Sequence, residues 1–221
     1  MRLGTDAVLF DLDGTLIDSA PDLAGACNEM RIDRGLGPLP YDQLRRMVGS
    51  GARGMVATAF GLVPDSPGYA ELRDEFLDRY EARMTRETKV FDAMRPVLDW
   101  LAKEGVPWGI VTNKATRFAA PLVAALGLDR QAATLVCGDT VAHAKPHPAP
   151  RLEAARRHGH APRRCAYVGD DRRDVVAGRA AEMLTVVAAW GYLGDGAPPE
   201  AWGADHLIDR PDELPGLIGG A

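Results

Sequence analysis

Two aspartates, Asp11 and Asp13, follow the apolar run Ala7-Val8-Leu9-Phe10, and Gly14 and Thr15 come next. A short apolar run bounded by turn residues reads as a buried parallel strand. In an open α/β sheet, ligands collect beyond the carboxyl ends of such strands. In extended backbone, residues two apart point the same way. Gly14 lets the chain turn sharply and lie close to a ligand. Neighbouring carboxylates repel, so both stay ionised only where a cation or several donors neutralise them. A nucleophile beside a proton carrier is one use of such a pair. A helix N-cap beside a solvated turn residue is the other.

Three more strand ends carry polar groups. Thr112 and Asn113 close Trp108-Gly109-Ile110-Val111, and Lys145 lies in Ala144-Lys145-Pro146-His147-Pro148. Gly169-Asp170-Asp171-Arg172-Arg173-Asp174 closes Cys165-Ala166-Tyr167-Val168. Singly, each has an ordinary reading: Thr112 as a helix cap, Lys145 as a surface lysine, Asp174 as a first-turn helix acid. Together, each at the end of a predicted strand, they make one crevice the better reading. Helix residues three or four apart share a face, so Asp170 and Asp174 both turn toward Asp11. Carboxylates crowded there need a cation. Hard oxygen ligands without a nearby His or Cys pair select Mg²⁺.

The elements behind these ends alternate from Thr88 onward. A helix with Pro96 in its first turn ends at Gly105. Strands at 108–111, 134–137, 165–168 and 184–187 are separated by helices at about 118–126, 148–158 and 173–181, with a short edge strand at 206–208. Such alternation implies right-handed crossovers and a parallel sheet. Residues 18–87 read instead as all helical. Asp18 or Ser19 caps the first helix, with Pro21 in its first turn. Apolar faces follow at Leu44/Met47/Val48, Met55/Val56/Ala59/Phe60 and Leu72/Phe76/Tyr80/Met84, the last on a helix opened by Asp65-Ser66-Pro67. The expected architecture is α/β: a doubly wound, Rossmann-like core of residues 1–17 and 88–221 with a small all-helical cap of residues 18–87 inserted. Its polar break is Val48-Gly49-Ser50-Gly51-Ala52-Arg53-Gly54. Ser50, Gly51 and Arg53 are candidate substrate contacts, Arg53 through its planar donor fork. A tight helix–helix turn is the alternative use of the glycines.

DxDGT, a strand ending in Thr-Asn, Lys-Pro and GDxxxD stand in the order of the four motifs of the haloacid dehalogenase superfamily, which the whole chain resembles. The helical insertion resembles the cap of its phosphatase and phosphomutase branch. The resemblance implies Asp11 as the nucleophile forming an aspartyl-phosphate and Asp13 as general acid and base. It implies Thr112, Asn113 and Lys145 as phosphate holders. Asp170 would bind Mg²⁺ with Asp11 and the Asp13 carbonyl, and Asp174 would support the metal shell or orient Lys145. Asp171 stands where many relatives carry Ser or Thr. Charge arithmetic agrees with these roles. A unit-charge repulsion at about 4 Å costs roughly 4 kcal/mol at an effective dielectric of about 20. Mg²⁺ and Lys145 reverse that sign, and phosphoryl transfer needs mainly such positioning and neutralisation. Covalent capture splits the hydrolysis in two, and Asp13 serves each half in turn.

Within the superfamily the chain looks like the phosphoglycolate phosphatases. Segments 49–60, 108–114 and 202–205 are similar to a subgroup acting on N-acetylmuramic acid 6-phosphate. The expected activity is Mg²⁺-dependent hydrolysis of a small carboxylate-bearing phosphate ester. A phosphosugar mutase and a non-catalytic receiver-like phosphate-binding domain are the alternatives. The formal net charge of −5 argues against a nucleic-acid surface. Cys27, Cys137 and Cys165, odd in number and far apart, fit reduced thiols in a cytosol. The first apolar run is too short for a signal peptide, and no run approaches the roughly 20 residues of a membrane span. The chain is thus expected in the cytoplasm, as a monomer or homodimer.

Overall fold

The structure, a computed structural model, describes residues 4–194 and 196–219. Strand β1 (Ala7–Phe10) is buried along its whole length. Its apolar residues alternate between two layers, as successive strand residues must. Val8 and Phe10 pack with Val97, Leu98 and Leu101 of α5 (Arg95–Lys103) and Leu122 of α6 (Thr116–Ala125). Ala7 and Leu9 pack with Ala154 and Ala155 of α7 (Ala149–His158). Helices on both faces explain the continuous apolar sequence.

β1 pairs in parallel with β4 (Trp108–Val111) on one side and β6 (Cys165–Gly169) on the other, with Val8 opposite both Trp108 and Ala166. β5 (Thr134–Val136) lies outside β4, while β7 (Leu184–Ala188) and β8 (His206–Ile208) continue beyond β6. Helix α8 (Arg172–Ala180) links β6 to β7, and α9 (Leu214–Ile218) ends the fold. The chain winds outward from β1 to β5, then crosses back to β6. The crevice at the tip of β1 is therefore the topological switch point, where ligands of such sheets bind.

The chain leaves this core through β2 (Ile17–Asp18) and returns through β3 (Lys89–Val90); the two pair antiparallel, with Ile17 opposite Val90. Between them lie α1 (Ala20–Asp33), α2 (Tyr41–Arg45), a 3₁₀ turn (Val48–Ser50), α3 (Gly51–Phe60) and α4 (Tyr69–Arg83). These helices enclose their own core around Met30, Met55, Phe76 and Tyr80. Asp22, fully buried in α1, ties down the returning chain. Its Oδ2 accepts the Thr88 amide at 2.8 Å, the Thr88 hydroxyl at 2.7 Å and the Glu87 amide at 3.1 Å.

Three local expectations are corrected. The predicted second helix stops at Arg45, and Val48 belongs to the 3₁₀ turn before Gly51, whose φ of 62° suits glycine. The fourth helix begins at Tyr69 rather than near Pro67, behind Gly68 at φ 80°. Neither Asp18 nor Ser19 caps α1 with its side chain. Instead the Tyr192 hydroxyl accepts the Ser19 and Ala20 amides at 2.8 and 3.0 Å. The Ser19 hydroxyl is thereby left to donate to Asp13 at 2.5 Å. All three cysteines are buried and unpaired. Among the described residues no helix is long and apolar enough to cross a membrane.

Candidate active site

Asp11 leaves β1 with its amide still bonded to the Val168 carbonyl, so the strand aims its carboxylate into the crevice. Oδ1 accepts the Leu12 amide at 2.7 Å, and Oδ2 meets Lys145 Nζ at 2.8 Å. The turn that follows requires Gly14, at φ 83°: a Cβ there would lie 2.1 Å from Asp170 Oδ2. Half-buried Asp13 accepts Lys114 Nζ on both oxygens, at 2.9 and 3.1 Å.

From β4 come Thr112, buried, and Asn113. The Thr112 hydroxyl accepts the Lys114 amide at 3.1 Å. Asn113 lines the cavity, but its carboxamide clamps the Lys145 backbone, Nδ2 on the carbonyl at 3.1 Å and Oδ1 on the amide at 2.9 Å. Its side chain thus holds Lys145 in place. Lys145 Nζ also lies 2.8 Å from Asp174 Oδ1. Burial alone would lower the lysine's pKa, but Asp11 and Asp174 outweigh it and raise it.

The end of β6 supplies the rest. Asp170, buried, accepts the Thr15 hydroxyl on Oδ1 at 3.1 Å and the Tyr192 amide on Oδ2 at 2.7 Å. Asp171 opens α8 as its N-cap: it accepts the Arg173 amide at 2.8 Å, while Asp174 Oδ2 accepts the Asp171 amide at 3.2 Å. This reciprocal box satisfies two free helix amides. Asp171 also holds the Arg173 guanidinium, which in turn donates to the Gly49 carbonyl of the cap. Asp174 Oδ1 is crowded with donors. Lys145 Nζ and Arg151 Nη2 each lie at 2.8 Å and the Tyr167 hydroxyl at 3.1 Å. Arg151 is fully buried, its guanidinium 3.6 Å above the Tyr167 ring.

Burial pushes the Asp11 carboxyl up to about 6, with Lys145 opposing and Asp174 and Asp13 adding to the rise. Burial, then Asp11, raise Asp170 as well. Asp11, Asp170 and Asp174 place carboxylate oxygens within 4.8 Å of one another. An all-oxygen, strongly anionic set with room on two of its members fits a small hard divalent cation such as Mg²⁺. Asp11 and Asp170 keep lone pairs for it. Asp174 instead carries three donors on Oδ1, where Asp11 and Asp170 carry one on each oxygen, which suits it to holding Lys145.

Above these groups lies a cavity of about 390 Å³. Its roof is the cap's glycine-rich turn, including Ser50 and Gly51, and its apolar wall includes Phe76, Leu77, Tyr80 and Phe118. Arg53 is exposed and does not line it. Helix α3 buries the following residues, Gly54, Met55 and Val56, in the cap core, which leaves Arg53 on the outer face.

Sequence reading missed Lys114, Arg151, Tyr167 and Tyr192. Lys114 carried a signal, standing directly behind Thr112-Asn113. The other three carried none, because their partners are remote in sequence and the apolar residues around them show no polar pattern.

A haloacid dehalogenase-like hydrolase profile matches residues 8–188. A Pseudomonas aeruginosa protein named N-acetylmuramic acid 6-phosphate phosphatase is 43% identical over 213 residues, covering 96% of this chain and 94% of that one. A Xanthomonas campestris pv. campestris protein named phosphoglycolate phosphatase is 47% identical over 209 residues, covering 94% of each. A crystal structure from Haemophilus somnus 129pt, described as a predicted phosphoglycolate phosphatase, superposes with a TM-score of 0.83 at 25% identity, covering 96% of both chains. With four motif-bearing strand ends meeting at one switch point beneath a helical cap, and with relatives matched over nearly their full length, the chain belongs to the haloacid dehalogenase-like hydrolase family.

Proposed function

We propose that the protein is a Mg²⁺-dependent phosphomonoester hydrolase working through an aspartyl-phosphate on Asp11. The observation that carries this reading is the Asp11–Lys145 contact of 2.8 Å at the cavity floor, with Asp13 beside it. Mg²⁺, held by Asp11 and Asp170, would supply the positive charge that keeps a buried nucleophile ionised and offsets the phosphate dianion. Lys145 adds a fixed cation between nucleophile and phosphate. The Asp11 oxygen bonds to phosphorus as the ester oxygen departs with its electron pair and takes a proton from Asp13. Asp13 then draws a proton from the water whose oxygen attacks phosphorus, and Asp11 is released with inorganic phosphate.

The substrate is a small carboxylate-bearing phosphate ester, the class to which both N-acetylmuramic acid 6-phosphate and 2-phosphoglycolate belong. A cavity of about 390 Å³ with an aromatic wall favours the first. It falls within the roughly 300–1,000 Å³ typical of sites for sizeable small molecules, and a two-carbon acid leaves that wall unused. The test is phosphate release from a panel of phosphorylated metabolites with Mg²⁺, ranked by kcat/KM. N-acetylmuramic acid 6-phosphate should lead. No phosphate release from any member, or phosphoryl transfer between sugars without release, overturns the reading.

A further inference from the structure

Three cationic side chains line the cavity among the described residues: Lys145, Arg173 and Lys114. Lys145 belongs to Asp11 and Asp174. Arg173 is tied to Asp171 and to the cap carbonyl of Gly49. Lys114 is different. Its side chain is 9% exposed, and its charged partner is Asp13 alone, held through both oxygens. That grip conflicts with the chemistry proposed for Asp13. A departing ester oxygen must approach one of the two Asp13 oxygens that this ammonium now bridges. Lys114 must therefore let go during turnover, and a buried ammonium needs a replacement anion.

The surroundings show where that anion would sit. Lys114 Nζ lies 4.8 Å above the ring of Tyr80, a cap residue on the cavity wall. The Tyr80 hydroxyl is buried and makes no hydrogen bond of normal geometry, with the Lys114 ammonium as a polar neighbour. Buried hydroxyls normally have a partner, so an orphan in a cavity wall marks a place for a ligand group. The Lys114 backbone is anchored by the hydrogen bond its amide donates to the Thr112 hydroxyl. Its ammonium can thus swing on a fixed stem.

We propose that Lys114 and the Tyr80 hydroxyl form the subsite for the leaving group's carboxylate, Lys114 exchanging Asp13 for that carboxylate as substrate enters. The inference rests on the carboxylate-bearing substrate proposed above and identifies what reads it. Substrate capture then uncovers Asp13 for the ester oxygen. A phosphate ester without a carboxylate leaves Lys114 in place, so it loses kcat as well as binding.

The test compares N-acetylmuramic acid 6-phosphate with N-acetylglucosamine 6-phosphate, which lacks the lactyl carboxylate. Wild type should prefer the first by about ten- to a hundredfold in kcat/KM, the size of one charge-assisted hydrogen bond. In Lys114→Met the preference should shrink to within about threefold, and Lys114→Arg should recover part of it. Tyr80→Phe, which removes one oxygen from the packed wall, should lower the preference by roughly three- to tenfold. Free N-acetylmuramate should inhibit wild type better than N-acetylglucosamine does, and Lys114→Met should abolish that difference. A folded Lys114→Met enzyme that keeps the wild-type preference overturns the subsite and leaves the substrate reading standing. A wild type with no preference for the carboxylate overturns both.

Discussion

On the floor of the cavity, Asp11, Lys145, Asp170 and Asp174 each have two or more partners, drawn from strand ends, loops and helix α7. The roof is another kind of construction. It is a short glycine-rich turn and an apolar wall, tied to the core by Arg173 of the core at the Gly49 carbonyl and by the cap's Arg45 at the Trp190 and Gly191 carbonyls. The floor is tightly cross-linked, and little of it can move without stranding a buried charge. The roof faces the cavity with backbone and apolar side chains that carry no such charge network. If the floor carries the chemistry and the roof the selection, the two meet at one point, Lys114 beside Asp13.

The strongest test of that separation removes the nucleophile. Asp11→Asn should lower turnover of every substrate by about 10⁴-fold or more, while circular dichroism shows an intact fold. A variant that loses activity on some esters only would put selection into the floor.

Metal removal comes next. Chelation should abolish phosphate release and Mg²⁺ should restore it. A readout independent of turnover is thermal stability. The Asp11 carboxyl is raised from 3.8 to about 6 in the fold, chiefly by burial. A raised acid contributes stability that is present below its unfolded value and lost as pH rises through its folded one. Without metal, the ionised floor is therefore a liability at pH 7.5 of which about half is relieved at pH 5. Mg²⁺ at a hundredfold excess over Kd contributes about 2.7 kcal/mol, roughly 5–10 °C in Tm. The shift should be clear at pH 7.5 and smaller at pH 5. Equal shifts at both would mean that the cation binds away from these carboxylates.

The smallest effect is expected at Arg53. Because this side chain is exposed and outside the cavity lining, Arg53→Ala should change kcat/KM by less than about threefold on any substrate. A selective tenfold loss on carboxylate-bearing esters would return anion recognition from the floor's edge to the cap.

Much of the floor could be read in advance because its residues sit where apolar runs stop. Asp11, Thr112, Asp170 and their neighbours are punctuation, and punctuation is local. What supports them is not. Arg151 reaches Asp174 from another helix, and Tyr167 hides inside a strand buried on both faces, where no alternation sets it apart. Asn113 was legible as a strand-end polar group, yet its amide serves the Lys145 backbone. The helical cap was visible as a change of period. Its two-residue strands were not, since two residues carry no period at all.

Those two short strands have a consequence for the unfolded chain. Entry to and exit from the cap lie side by side, fastened where Asp22 receives Thr88. For the core, everything between is a loop whose ends already meet. Closing such a loop costs entropy that grows only logarithmically, about 0.6 kcal/mol for each doubling of its length. Helices can therefore be added to or taken from the insertion at little cost to assembly of the parallel sheet, provided the Asp22–Thr88 knot at its neck is kept.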